Sequence, residues 1–255
     1  MRAVFMGKHK RSAVRALEWL VARDAEVAAV VAPEPDDAAH DQQRLDLAAE
    51  RHGLTLTGEA QLYAAPPGDV DVVISFLFWN LIREPLISLG RVGCLNFHPA
   101  PLPDFRGVGG YNVAILEGLG SWGVSCHFVD EHFDTGDVVE VERFPIDLER
   151  ETAFSLDLES QKHLLGLFER VMGVLLDGRD LPRSPQGEGR YLSHAEFEEL
   201  RTVRPGDDLP RKLRAFWYPP WPGAVVEVDG HRLTLVDEQL LAGVARAHRE
   251  AGWLP

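Results

Sequence analysis

Apolar positions along this chain fall into short unbroken runs separated by segments of helical spacing. Residues 2–6, 26–32 and 71–76 show almost no polar alternation. That is the pattern of strands buried on both faces of a parallel sheet. Between them, 13–23 reads as a helix with Ser12 as its cap. Residues 42–52 carry Leu45, Leu47, Ala48 and Ala49 at mixed helical spacing and stop at Gly53. A short strand is predicted at 54–57 and a short helix at 84–89. Three further strands fall at 93–98, 123–129 and 138–144. Residues 151–176 form one long amphipathic helix, with Phe154, Leu158, Leu164, Leu165, Phe168, Val171, Met172 and Leu175 recurring near a period of 3.6. Its charged residues make a solvated face. Strands alternating with helices predict an α/β fold, a mainly parallel sheet flanked by helices.

The breaks divide the chain. Pro33-Glu34-Pro35-Asp36-Asp37 ends the second strand. Residues 178–190 are rich in Gly, Pro and polar side chains, which places a boundary between a main domain over 1–180 and a small appendage over 190–255. The appendage reads as α+β: short helices at 196–200 and 208–215, then two alternating runs over 225–236 joined by Asp229-Gly230, a hairpin signal. Phe216-Trp217-Tyr218-Pro219-Pro220-Trp221-Pro222, just before the hairpin, is a stiff apolar segment. It packs either on the main domain or on a partner subunit or ligand.

Composition narrows the function classes. The 255 residues suffice for one domain with an appendage or two small domains. A net charge of −14 counts against broad electrostatic binding of nucleic acid. Cys94 and Cys126, both on predicted strands, read as inert thiols of a reducing cytosol. The start at Met1 carries no signal-peptide pattern, and no apolar run approaches the ~20 residues of a membrane span. The expectation is a soluble cytoplasmic protein. The histidines lack ligand spacing with cysteines or carboxylates, so no metal is expected.

The candidate chemistry lies at strand ends. After the first strand, Gly7-Lys8-His9-Lys10-Arg11 leads into a helix, a Rossmann-like opening without the G-x-G-x-x-G fingerprint, so no dinucleotide is expected. Lys8, His9 and Lys10 either meet an anionic substrate at the helix N-terminus or form a solvated loop. Asn96 and His98 are two apart on a strand, so their side chains share a face. Pro99, Pro101 and Pro103 then force the chain out of the sheet. An amide and an imidazole therefore stand together at a strand's carboxyl end, where open α/β sheets bind ligands. Asp134 lies in a second strand exit, Asp130-Glu131-His132-Phe133-Asp134-Thr135-Gly136-Asp137, 36 positions beyond His98. His127 and His132 are the next histidines to consider.

Asn-x-His, then Leu-Pro-x-x-Arg-Gly at 102–107, then Asp-Thr-Gly-Asp at 134–137, resembles the folate-dependent formyltransferases. That group includes methionyl-tRNA formyltransferase, glycinamide ribonucleotide formyltransferase and the sugar N-formyltransferases, the last being the closest in outline. The resemblance covers about 1–180 and is most specific over 93–137. It implies the formyltransferase fold and 10-formyltetrahydrofolate as formyl donor. His98 would carry protons near neutral pH, Asn96 would donate to the developing oxyanion, and Asp134 would orient the imidazole or position a water. It further implies donor contacts at Phe76, Leu77, Phe78, Trp79, Leu81, Asp130 and Phe133, and acceptor contacts at Lys8, His9, Lys10, Arg106, Gly107 and Tyr111. The acceptor it favours is a nucleotide-linked amino sugar. An amino-acid-derived amine (hydroxyornithine or a carrier-bound aminoacyl group) and hydrolysis of formyltetrahydrofolate are the alternatives. A tRNA acceptor is disfavoured by the net acidity and by a tail that looks too short for the barrel domain of the methionyl-tRNA enzymes. The aromatic-proline segment resembles one in the sugar enzymes, which implies a possible homodimer.

Overall fold

The computed structural model of the protein describes residues 1–34 and 43–243. In chain order its elements are β1 (Arg2–Gly7), α1 (Arg11–Val21), β2 (Glu26–Val31), α2 (Leu45–Arg51), α3 (Glu59–Ala64), β3 (Val72–Phe76), α4 (Leu86–Leu89), β4 (Gly93–His98), β5 (Phe105–Gly107), α5 (Gly110–Leu116), β6 (Ser121–Phe128), β7 (Val138–Pro145), α6 (Ala153–Leu176), β8 (Arg190–Leu192), α7 (His194–Arg201), α8 (Leu209–Ala215), β9 (Val225–Val228) and β10 (His231–Thr234). They fall into two compact units, neither continuous in sequence. The first takes Met1–Gly107, Trp122–Phe144 and Glu159–Tyr191; the second takes Val108–Ser121, Pro145–Leu158 and the described residues from Leu192 onward.

The first unit is built on a six-stranded sheet of order β2-β1-β3-β4-β6-β7. β2, β1, β3 and β4 run parallel, and β6 runs antiparallel to β4. Successive side chains alternate between faces. Val4, Met6, Val73 and Cys94 turn to one face, where Leu62 of α3 and Leu86 of α4 cover them. Phe5, Phe76 and Phe97 turn to the other and pack with Phe168 of α6, whose ring also meets Trp19 of α1. Burial on both faces is why these strands read as continuous apolar runs. Each fully buried ring contributes roughly 1.5–3 kcal/mol.

Some local expectations are corrected. Lys10, not Ser12, occupies the N-cap of α1, and no side chain caps it. Ser12 is inside the helix and buried, and its hydroxyl donates to Gln161 Oε1 at 2.9 Å. The strand expected at 54–57 reduces to one bridge between Val30 and Leu56. Helix α3 was not foreseen, because one buried leucine in six residues gives no period to read. The expected helix at 42–52 begins at Leu45; Gln42 and the loop residues 35–37 lie outside the described residues.

In the second unit α5 packs against α8, with Asn112 donating to the Ala215 carbonyl at 2.7 Å. Ser193 and Glu196 form a reciprocal cap at the start of α7. β9 and β10 make the expected hairpin, with Asp229 and Gly230 both at positive φ, 49° and 77°. Of the aromatic-proline segment, Phe216 is buried beside Phe197, and Tyr218 meets Phe154 edge to face. Trp221 remains 71% exposed.

Candidate active site

Strand register assembles the site. β4 lies between β3 and β6, with Asn96 opposite Ser75 on one side and His127 on the other. The three polar side chains form a row across β3, β4 and β6, on the face of Cys94 and His98. The Ser75 hydroxyl donates to Asn96 Oδ1 at 2.7 Å, which fixes the amide's orientation. Its nitrogen then points to His127 Nε2 at 3.0 Å and Asp134 Oδ1 at 3.3 Å. A carbonyl only accepts, so the 2.7 Å contact from His127 Nδ1 to the Phe128 carbonyl requires an Nδ1–H. The tautomer with its proton on Nδ1 leaves Nε2 to accept from Asn96. Every donor and acceptor in the row has one consistent assignment.

His98 follows at the end of β4, and its register partner Ser125 anchors the loop beyond. The Ser125 hydroxyl donates to the Ala100 carbonyl at 2.7 Å and accepts from Leu102 N–H at 2.9 Å. The Trp122 indole donates to the Pro99 carbonyl at 3.2 Å. With the proline loop held, the Phe105 carbonyl lies 3.2 Å from His98 Nε2. That nitrogen carries the proton, and Nδ1 lies 3.5 Å from Asp134 Oδ1.

Asp134 reaches this cluster from the loop after β6. The loop closes on itself through Phe128 N–H to the Asp137 carbonyl at 2.8 Å. Gly136 is required there, since a β-carbon would stand 2.0 Å from the Phe128 carbonyl oxygen. Asp134 is left-handed, φ 57°, a conformation that favours short polar side chains and clusters at functional sites. Its Oδ2 accepts from Gly107 N–H at 3.0 Å, and Oδ1 also lies 3.6 Å from His127 Nε2. Burial alone would raise its pKa, but His98 and the Gly107 amide outweigh burial and hold the carboxyl well below the usual range. For His98, burial is the largest influence and pushes the imidazole below its ordinary value, against an opposing pull from Asp134. At neutral pH the pair is therefore a neutral imidazole beside a carboxylate. Burial pushes both cysteine thiols up, so neither is a nucleophile.

The structure thus brings Asn96, His98 and Asp134 together, and adds Ser75 and His127. Ser75 had a signal, a lone hydroxyl in Val72-Val-Ile-Ser-Phe76, that strand reading passed over. Of the other expected contacts, Phe76 is a core ring with no exposed surface. Leu77 is left-handed, φ 58°. Phe78 packs on the core while its neighbour Trp79 is 39% exposed. Asp130 organises its own loop, accepting from His132 N–H and the Thr135 hydroxyl. His9 is committed to the fold: Nδ1 accepts from Leu45 N–H, and Nε2 donates to the Glu34 carbonyl. Lys8 is exposed and Lys10 half-buried. Tyr111 belongs to the second unit, where its hydroxyl donates to Asp157 at 3.2 Å. Gly107 touches Asp134 through its amide, and Arg106 bonds Gln186.

Leu81, Arg106, Glu131, His132, Phe133, Thr135 and Tyr191 line a cleft of about 330 Å³. Arg106 comes from the loop beyond His98 and Glu131 to Thr135 from the loop that carries Asp134, while Leu81 and Tyr191 lie outside both. A larger cavity of about 430 Å³ is lined by Met1, Asp71, Arg91, Phe128 and residues near 175–183, and neither lining includes Asn96, His98 or Asp134. Among the described residues no cluster of His, Cys, Asp and Glu could hold a metal ion, and no helix is long and apolar enough to cross a membrane.

The chain is similar to proteins already known. The sequence signature described as "Formyl transferase" matches residues 21–163, more than half of the chain. A methionyl-tRNA formyltransferase from Ruegeria pomeroyi is 32% identical over 259 residues, covering 95% of this chain and 83% of its own length. A GDP-perosamine N-formyltransferase from Brucella melitensis is 33% identical over 164 residues, 64% of this chain and 62% of its own. An N-formyltransferase from Helicobacter canadensis, solved with folinic acid and dTDP-3-aminofucose, superposes with a TM-score of 0.74 at 18% identity over 90% of this chain and 85% of its own, a likeness of fold. The chain belongs to the formyl transferase family and is an N-formyltransferase.

Proposed function

We propose that the enzyme moves a formyl group from 10-formyltetrahydrofolate to the amine of a nucleotide-linked amino sugar, with residues 1–180 as the catalytic part and 190–255 as a small appendage. The observation that carries the mechanism is the pairing of a neutral His98 with an ionised Asp134 beside the fixed Asn96 amide. The cleft is compatible with the donor: Leu81, Phe133 and Tyr191 offer apolar walls for a flat heterocycle, and its volume falls in the range of small-molecule sites. When bound, the donor supplies an activated formyl carbon.

The chain's own groups do the rest. Both nitrogens of His98 face acceptors, so the neutral ring always leaves one lone pair toward an oxygen. The proton lost by the attacking amine, taken up at Nδ1, turns that contact into an N–H facing Asp134, and its return to the tetrahydrofolate nitrogen lets the donor's C–N bond break. Burial keeps the ring neutral at rest, and Asp134 stabilises it once charged, as a general base requires. Asn96 can meet negative charge on the formyl oxygen with the N–H now directed at Asp134, the longer of its two bonds. Its other N–H stays with His127, so the amide keeps its orientation while one donor is released.

The sugar-nucleotide acceptor is supported by the perosamine relative and by the aminofucose complex of the structural neighbour. One observation favours a second reading, an aminoacyl-tRNA acceptor: the methionyl-tRNA formyltransferase match runs through the tail as well. The net charge of −14 weighs against it. The test is formyl transfer to nucleotide-linked 3-amino and 4-amino sugars against methionyl-tRNA, with folate release in the absence of any amine as the control for hydrolysis. Faster turnover with methionyl-tRNA than with every amino sugar would overturn the sugar reading.

A further inference from the structure

We propose that the polar stretch Ser184 to Tyr191 is a strap that fixes the two catalytic loops relative to each other, with Gln186 as its positioning residue. It runs across the site within the first unit. At one end Ser184 pairs with Val138, N–H to carbonyl in both directions, at 3.0 and 2.8 Å. At the other, β8 pairs with β5, the strand that ends at Gly107. Between them Gln186 reaches both loops at once. Its amide nitrogen donates to the Asp134 carbonyl at 3.1 Å and the Gly136 carbonyl at 2.6 Å. Its amide oxygen accepts from Arg106 Nε and Nη2 at 3.3 and 3.0 Å, and the same Nη2 donates to the Gly187 carbonyl at 2.9 Å.

Asp134 is left-handed, so its carbonyl has no partner in a sheet ladder or helix, and Gln186 supplies one. Arg106 sits between Phe105, whose carbonyl orients His98, and Gly107, whose amide bonds Asp134 Oδ2. One side chain thus sets the loop that holds the carboxylate against the loop that holds the imidazole. The strap cannot drift outward at its far end without leaving a fitted contact: a β-carbon at Gly189 would stand 1.8 Å from the Pro103 carbonyl oxygen, so backbone meets backbone there. Gln186 touches no reacting side chain and acts through Arg106 and the backbone of Asp134 and Gly136.

Two substitutions separate this role from simple anchoring of Arg106. Gln186→Ala removes every bond. Gln186→Glu keeps an acceptor for Arg106 but loses both donations to the Asp134 turn. Amide hydrogen exchange reads the outcome without substrate. Exchange at Gly107 should quicken about tenfold or more in both variants, while the Val30 amide, bonded to Thr55 elsewhere in the sheet unit, is unaffected. The kinetic arm rests on the formyl-transfer reading: kcat should fall about 10²-fold in both variants with KM for the donor little changed. Unchanged protection at Gly107, equally faster exchange at Val30, or wild-type behaviour of Gln186→Glu overturns the strap. Quickened Gly107 exchange with unaltered kcat would uphold the strap and count against Asp134 as a member of the reacting set.

Discussion

Two aspartates, one in each unit, Asp157 buried and Asp134 with a side chain 11% exposed, show what makes a carboxylate chemically useful. Asp134 sits among two imidazoles, an amide and a backbone N–H. Asp157, 4% exposed near the start of α6, accepts from the Tyr111 hydroxyl at 3.2 Å and the Tyr218 hydroxyl at 2.5 Å. Both are largely enclosed and both are hydrogen-bonded. The difference is the titration of their partners. Burial first, and then Asp157 itself, push the Tyr218 hydroxyl upward, so it stays protonated across the physiological range. His98 is a partner that can exchange a proton, and burial moves its titration below the ordinary imidazole value. Asp157 braces a Tyr218 hydroxyl that keeps its proton, whereas Asp134 is coupled to a group that can take a proton and give it back.

Substitution should separate the two by readout. His98→Ala should cut kcat about 10²–10⁴-fold and Asn96→Ala about 10²–10³-fold, with both variants folding. Asp134→Ala should likewise lose most turnover while keeping its fold. Near-normal turnover in His98→Ala would refute the mechanism. Asp157→Ala should show the opposite profile. It leaves two tyrosine hydroxyls without this acceptor, so stability should drop by about 2–3 kcal/mol by chemical denaturation. Adding Tyr218→Phe should recover part of that loss, because removing both partners costs less than orphaning one.

Smaller effects sharpen the contrast. Asp134 raises the His98 pKa, so Asp134→Asn should move the acid limb of kcat/KM to still lower pH, alongside its loss of rate. The pH dependence of stability follows from two depressed values. The unfolded chain takes a proton at His98 below about pH 6.5, before the folded state does, and takes one at Asp134 below about pH 4. Both differences make the folded state less favoured in acid. The denaturation midpoint should therefore fall as pH drops from 7 to 4, and less so in a His98→Phe chain. A midpoint flat across that range would contradict the assigned charge states.

The sequence determined the strand order's raw material and half of the site. Unbroken apolar runs announced strands covered on both faces, and a spacing of two put Asn96 and His98 on one side of β4. Proline after His98 stopped the strand at the sheet's rim. Asp134 was placed by resemblance, since no local pattern links residues 36 apart. Tertiary structure decided the rest. The row Ser75, Asn96, His127 exists only through register between strands far apart in the chain. Ser12 looked like a cap and is a buried donor, because Gln161 arrives from α6. His9 looked free to meet substrate, and its ring is held by Leu45 and Glu34. Gln186 lay in what read as a linker, because the carbonyls it satisfies are created by a left-handed turn some fifty residues earlier. Local sequence fixes backbone period and the face a side chain takes. Which polar group meets which depends on where the sheet and loops close, and there the unmet hydrogen bonds of one segment select their partners from another.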